Sequence, residues 1–131
     1  MKTAIAGYPR IGARRELNFR TEAFFRGEIG ERELLDSARE IKLENWRTLK
    51  GRGIESIPSN DFSLYDGMLD AACLIGAIPA RYRDAGLSPL GRYFAMARGN
   101  AAANLKALPM RKWFNTNYHY IGPELGDDVA L

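Results

Sequence analysis

The sequence is short of the residues that most often announce a chemistry. It holds one cysteine and one histidine in 131 residues, so an internal disulfide is impossible and a zinc site built from several such ligands is not expected. No run approaches the roughly 18 apolar residues of a membrane span, and Met1-Lys2-Thr3-Ala4-Ile5-Ala6-Gly7-Tyr8 lacks the apolar stretch of a signal peptide. The expectation is a soluble, cytoplasmic protein with no membrane partner. A strong charge of one sign is missing as well. Nineteen basic against 16 acidic residues leave +3, interspersed along the chain, which argues against a nucleic-acid partner and permits an anionic ligand. There is no phosphate-binding loop ending in Gly-Lys-Ser/Thr, no dinucleotide-type glycine fingerprint and no nucleophile elbow. Asp61, Asp66 and Asp70 are too loosely spaced for a calcium loop, and Asp66 with Asp70 reads as a solvated helix face. Cys73, inside Ala71-Ala72-Cys73-Leu74-Ile75, reads as a small buried hydrophobe.

What is present has the balance of a globular chain, 46% apolar and 27% charged. The length suits one modest domain and falls short of the roughly 250 residues of a closed eight-stranded α/β barrel. Thr3–Tyr8 reads as a short strand broken by the turn Gly7-Tyr8-Pro9-Arg10-Ile11-Gly12. From Glu16 the spacing of Leu17, Thr21, Phe24 and Phe25 predicts a helix, stopped at Gly27. A second helix spans Glu31 to Leu49, with Leu34, Leu35, Ala38, Ile41, Trp46 and Leu49 on one stripe and Gly51 and Gly53 at its end. Ile54–Ile57 is a short candidate strand, and Ser63 is placed as the cap of a third helix carrying Leu64, Met68, Ala72 and Ile75. Pro79 stops that helix, Asp84–Leu90 reads as a loop, Tyr93–Arg98 as a short helix, and Ala101–Leu108 as helix or loop. The third candidate strand is Thr116–Ile121, and the tail from Gly126 has little to pack.

Strands separated by helices predict parallel pairing, because a parallel partner requires a long crossover. The fold class is therefore α/β: a partial (β/α) barrel of about three parallel strands with crossover helices, whose outer strands expose unpaired edges.

Two clusters carry candidate chemistry, each where a strand gives way to a loop. In Arg10-Ile11-Gly12-Ala13-Arg14-Arg15-Glu16 three arginines stand at a helix start, where guanidinium groups and backbone amides can receive a carboxylate or phosphate; a solvated helix start is the competing reading. Residues 111–120, Arg-Lys-Trp-Phe-Asn-Thr-Asn-Tyr-His-Tyr, combine cations, amides, the single histidine and four aromatics, suited to a planar ring with a negative group or to a buried strand with satisfied polar groups.

Five motifs in order resemble the N-terminal domain of cobalamin-independent methionine synthase: Gly7–Gly12 with Arg15-Glu16-Leu17; Ile57-Pro58-Ser59-Asn60-Asp61-Phe62; Tyr65-Asp66; Met96-Ala97-Arg98-Gly99; and Lys112–Tyr120. The resemblance implies that residues 1–131 are the N-terminal part of a two-barrel enzyme's first barrel, incomplete here. That enzyme moves a methyl group from 5-methyltetrahydropteroyl-triglutamate to homocysteine and makes methionine. It also implies a folate-polyglutamate site at Arg15, Glu16, Leu17, Asn18, Lys112 and Asn117. Asn18 stands where lysine is common and Arg111 where threonine is usual, so one charge is lost and another gained. The family's zinc belongs to the C-terminal barrel. This chain is accordingly expected to bind no cofactor, to hold no catalytic or metal-binding residue and to be inactive alone, relying on a C-terminal partner chain or on self-association. The alternative is a stand-alone module that binds folate polyglutamates or similar anions.

Overall fold

The computed structural model describes residues 2–126; the tail from Asp127, read as poorly packed, lies outside the described residues. The chain divides into two compact units, Met1–Leu64 and Tyr65–Leu131.

In the first unit, helix α1 (Glu16–Phe25) and helix α2 (Glu31–Gly51) follow the predicted spans. Helix α1 packs on α2, burying Leu17 and Thr21 from one and Leu34, Ala38 and Leu49 from the other. Leu17 and Leu34 lose all their solvent exposure, each contributing about 2 kcal/mol of hydrophobic stabilisation. Leu35, placed on the apolar stripe by spacing, is 45% exposed; the stripe that buries is narrower than the one predicted. Positive φ at Gly53 reverses the chain after α2. The strand-like segments at residues 3–5 and 54–57 then meet in a parallel bridge between Ala4 and Ser56. Ser56 N donates to Thr3 O at 3.0 Å, and Thr3 Oγ1 donates to Gly53 O at 2.6 Å. The two segments are thus parallel neighbours joined through α1 and α2, although their pairing stops at one bridge.

The second unit departs further from the periodic reading. Helix α3 spans Gly67–Leu74, and its cap is Asp66, not Ser63: Asp66 Oδ1 accepts from Leu69 N at 2.8 Å. An aspartate capping N3 satisfies one of the free amides of the first turn and faces the positive end of the helix, so Asp66 is a buried cap and not part of a solvated face. With the start moved by three residues the buried face moves too. Leu69 and Ala72 are buried, whereas Ile75 is 54% exposed. A four-residue helix α4 (Ala80–Arg83) follows Pro79. Helix α5 (Pro89–Arg98) begins inside the segment read as a loop, because Ser88 caps it through Gly91 N at 2.9 Å and Pro89 suits a first helical position. Its buried run from Tyr93 to Ala97 is continuous. The Tyr93 hydroxyl accepts from the backbone amides of Tyr65 and Asp66 at 3.1 and 3.2 Å, which ties the entry of α3 to α5.

Residues 101–108 form a loop closed by a bridge between Asn100 and Leu105. The third predicted strand is realised as β2 (His119–Ile121), paired antiparallel with β1 (Met110–Lys112) in a hairpin. A short connection permits only that direction. Helix α3 packs against β2 and α5, and α4 against α5. Tyr82 on α4 is fully buried and donates its hydroxyl to Lys106 O at 2.5 Å, while Arg81 grips Glu124 with two bonds of 2.6 and 2.8 Å. Cys73 is half-buried, and burial pushes its thiol pKa up. Asp66→Ala removes the cap of α3 and is expected to lower the unfolding free energy by about 1 kcal/mol, with Asp66→Asn retaining most of it; urea denaturation of the three proteins measures both.

Candidate functional site

The arginine cluster of the first unit is built from a turn with little freedom. Gly12 has φ of +85°, and a Cβ there would lie 2.2 Å from Glu16 Oε2. The glycine therefore leaves room for the Glu16 side chain to fold back along the loop, where Oε2 accepts from Arg14 N at 2.9 Å. Backbone amides hold the Glu16 carboxyl below the ordinary glutamate range, with Arg14 adding a weaker coulombic contribution. Arg15 N donates to Gly12 O at 3.2 Å and Leu17 N to Ile11 O at 3.0 Å, closing the turn onto the first residues of α1.

Arg15 itself is held at φ 63°, ψ 32°, a left-handed conformation uncommon outside glycine, asparagine and aspartate. Its side chain is solvent-exposed and has no partner among the described residues. Asn18 is half-exposed and Leu17 is fully buried. Of the four positions Arg15–Asn18, then, one presents a free cation, one a carboxylate already used by the turn, one packs into the core, and one offers an amide.

The other arginines are not equivalent. Arg10 directs its guanidinium to the carbonyls of Ser63 and Leu64 at 3.1 and 3.3 Å, so it holds the chain. Arg14 lies 3.9 Å from the Glu16 carboxylate on an open surface. The motif Ile57–Phe62 is brought against the first motif: Tyr8 N donates to Asp61 Oδ2 at 2.8 Å, and Asn45 Nδ2 on α2 donates to Pro9 O at 3.2 Å. Asp61 is a residue whose role composition does not reveal. Beside the turn runs an open cleft of about 910 Å³ whose charged lining is Glu16, Glu40, Glu44 and Arg47. Carboxylates outnumber cations there, so the cleft disfavours an anion.

In the second unit, Lys112 sits opposite His119 and Arg111 opposite Tyr120. Adjacent strand residues point to opposite faces, so Arg111 does not add its charge to the face of Lys112. Lys112 is exposed and without a partner among the described residues. The chain turns after Trp113 through Phe114 at φ 47°, with Thr116 N and Oγ1 both donating to Trp113 O at 3.1 and 2.5 Å. Asn117 O is the hydrogen-bond partner of His119 Nδ1 at 3.0 Å, which leaves the Asn117 side-chain amide open. Trp113 packs edge-on against Phe114 and Tyr120, with ring centroids at 5.2 and 5.8 Å. The segment read as a possible buried strand is a surface hairpin. At its exit a Cβ on Gly122 would lie 2.7 Å from Arg111 Cγ and 3.1 Å from Pro109 O, so a side chain there would displace Arg111.

No three of the His, Cys, Asp and Glu side chains among the described residues come together as metal ligands, and with one histidine and one cysteine in the chain the residues present do not fit a zinc ion. No helix among the described residues is long and apolar enough to cross a membrane.

These features define a mixed α and β chain with exposed cations at Arg15, the N-cap of α1, and at Lys112, the last residue of β1. The profile of the cobalamin-independent synthase N-terminal domain matches residues 2–131, and the chain belongs to that family. It is 52% identical over 133 aligned residues to the 5-methyltetrahydropteroyltriglutamate--homocysteine methyltransferase of Streptococcus pneumoniae (strain ATCC BAA-255 / R6), an alignment covering 100% of this chain and 18% of that protein. Proteins of the same name from Lactococcus lactis subsp. lactis (strain IL1403) and Streptococcus suis (strain 05ZYH33) are 51% and 50% identical over the same extent. The chain spans about a fifth of the length of these curated relatives.

Because the folded-state pKa of Glu16 lies below its ordinary value of 4.5, its carboxylate stabilises the turn above that value, and the contribution fades as pH falls through the lowered folded value. Glu16→Gln is therefore expected to lower the denaturation midpoint at pH 7, with the difference from the wild type shrinking as the pH is lowered below the ordinary glutamate value, as urea titrations across that range will show.

Proposed function

We propose that this chain contributes the folate-polyglutamate binding portion of a methyltransferase that makes methionine from homocysteine and 5-methyltetrahydropteroyl-triglutamate. Membership of the synthase family and the methyltransferase activity for which its relatives are named support the reaction. The observation that carries the binding role is Arg15: an exposed guanidinium without a partner among the described residues, fixed on a left-handed backbone position. Strain of this kind costs about 1–3 kcal/mol and persists where the surroundings over-determine it, most often at ligand sites. Arg15 and the neighbouring Glu16, Leu17 and Asn18 are the contribution of the first unit; Lys112 and Asn117 are that of the second. A triglutamate tail is a chain of carboxylates, which the exposed cations Arg15 and Lys112 are suited to pair with.

For the fold, we propose that the first unit is the opening part of a (β/α) barrel. Its support is the parallel bridge between Ala4 and Ser56 with α1 and α2 between them. The methyl transfer itself is assigned to zinc-bearing residues of a further domain or partner chain, since the donors here do not fit the metal.

Calorimetric titration with the triglutamate and with its monoglutamate, at low and moderate salt, tests the binding role. Tighter binding of the triglutamate that weakens with salt is expected; equal binding of the two, or none, removes the proposal. Arg15→Gly separates strain from function. It is expected to raise the unfolding free energy by up to about 1 kcal/mol, as the left-handed backbone becomes unstrained, while the preference for the triglutamate falls.

A further inference from the structure

On the first unit, α2 and the segment after Ser56 form an open pocket of about 450 Å³ lined by Leu43, Trp46, Arg47, Lys50, Ile57 and Ser59. Its volume is within the range of small-molecule sites. Three of the lining residues are apolar and large, and the indole is fixed: Trp46 Nε1 donates to Pro58 O at 3.1 Å, and Lys42 Nζ sits 4.8 Å from its ring centroid. A tethered ring is a wall that needs little reordering on binding. The polar lining is cationic. Lys50 is exposed and makes no ion pair among the described residues. Arg47 reaches Glu44 only at 3.8 Å, with both side chains largely exposed, so its charge is weakly compensated. Ser59 adds a hydroxyl. The negative end of α2 opposes an anion here, but two flexible cations on the last turns outweigh a partial charge of about one half.

We infer that this pocket binds a small planar aromatic carboxylate, its ring against Leu43, Trp46 and Ile57 and its carboxylate between Arg47 and Lys50. The charge complementarity and the size favour this occupant over an uncharged ring or a polyanion. The inference stands apart from the polyglutamate reading, because none of its residues belongs to that proposed site.

The test follows the Trp46 indole N–H and the Ile57 and Ser59 amides of the isotopically labelled full chain by NMR, during titration with benzoate or with benzyl alcohol. Benzoate is expected to shift all three signals saturably, with an affinity at least about fivefold above that of benzyl alcohol, as two exposed ion pairs supply. The double variant Arg47→Gln/Lys50→Gln is expected to fold with an unchanged spectrum elsewhere and to reduce benzoate to the affinity of the alcohol. Equal binding of the two probes overturns the inference, as does the absence of saturable shifts. Sedimentation showing that these signals already report a second copy of the chain on this face overturns it as well.

Discussion

The absence of a side chain at Gly12 is the constraint on which the first unit depends. A Cβ at that point would occupy the place of the Glu16 carboxylate, which would then lose the Arg14 amide. The amide bonds that close Arg15 onto Gly12 and Leu17 onto Ile11 rest on the same turn, and so does the register at which Leu17 enters the core with no exposure left. One small residue thus links backbone conformation, electrostatics and packing. Arg15 follows in the same turn in a left-handed conformation, whereas Arg14 lies 3.9 Å from the Glu16 carboxylate.

The second unit is organised by hydroxyl groups. Tyr93 gathers two amides at the start of α3, and Tyr82, buried on a helix of four residues, captures a carbonyl of the 101–108 loop. Such bonds replace those that longer helices would supply for themselves, and each leaves a buried polar atom satisfied. Beyond them the hairpin stands on the surface with Trp113, Phe114 and Tyr118 45%, 81% and 54% exposed. Its alternation decides which cations share a face, and it separates Arg111 from Lys112 whatever their adjacency in sequence suggests.

Legibility in the sequence followed how one-sided each helix's burial is. Helices α1 and α2 were readable because two or more turns of apolar spacing identify a buried face regardless of its partner. Helix α3 was misplaced: Ser63 and Asp66 are both good caps, and the choice between them rests on which one points at Leu69 N. Helix α4 is too short to show a period, and α5, expected only over Tyr93–Arg98, begins at Pro89 because Ser88 caps it, a cap that apolar spacing does not reveal. Among site residues, the charges of Arg15 and Lys112 were visible, but not that Arg10 serves two carbonyls, that Glu16 belongs to the turn, or that Asp61 holds Tyr8. Ser63, read as a cap, has the one buried side-chain oxygen without a partner among the described residues.

By itself the sequence determined membership of the synthase family, through ordered motifs that need no coordinates. It also determined helices α1 and α2 and the single histidine and cysteine, since composition and short-range spacing are properties of the chain alone. Only the tertiary structure decided which arginine is free, which aspartate caps, which face of the hairpin carries Lys112 and which helix faces are covered. Each of those depends on a partner distant in sequence, at a few ångströms' range, and neither periodicity nor composition contains that distance.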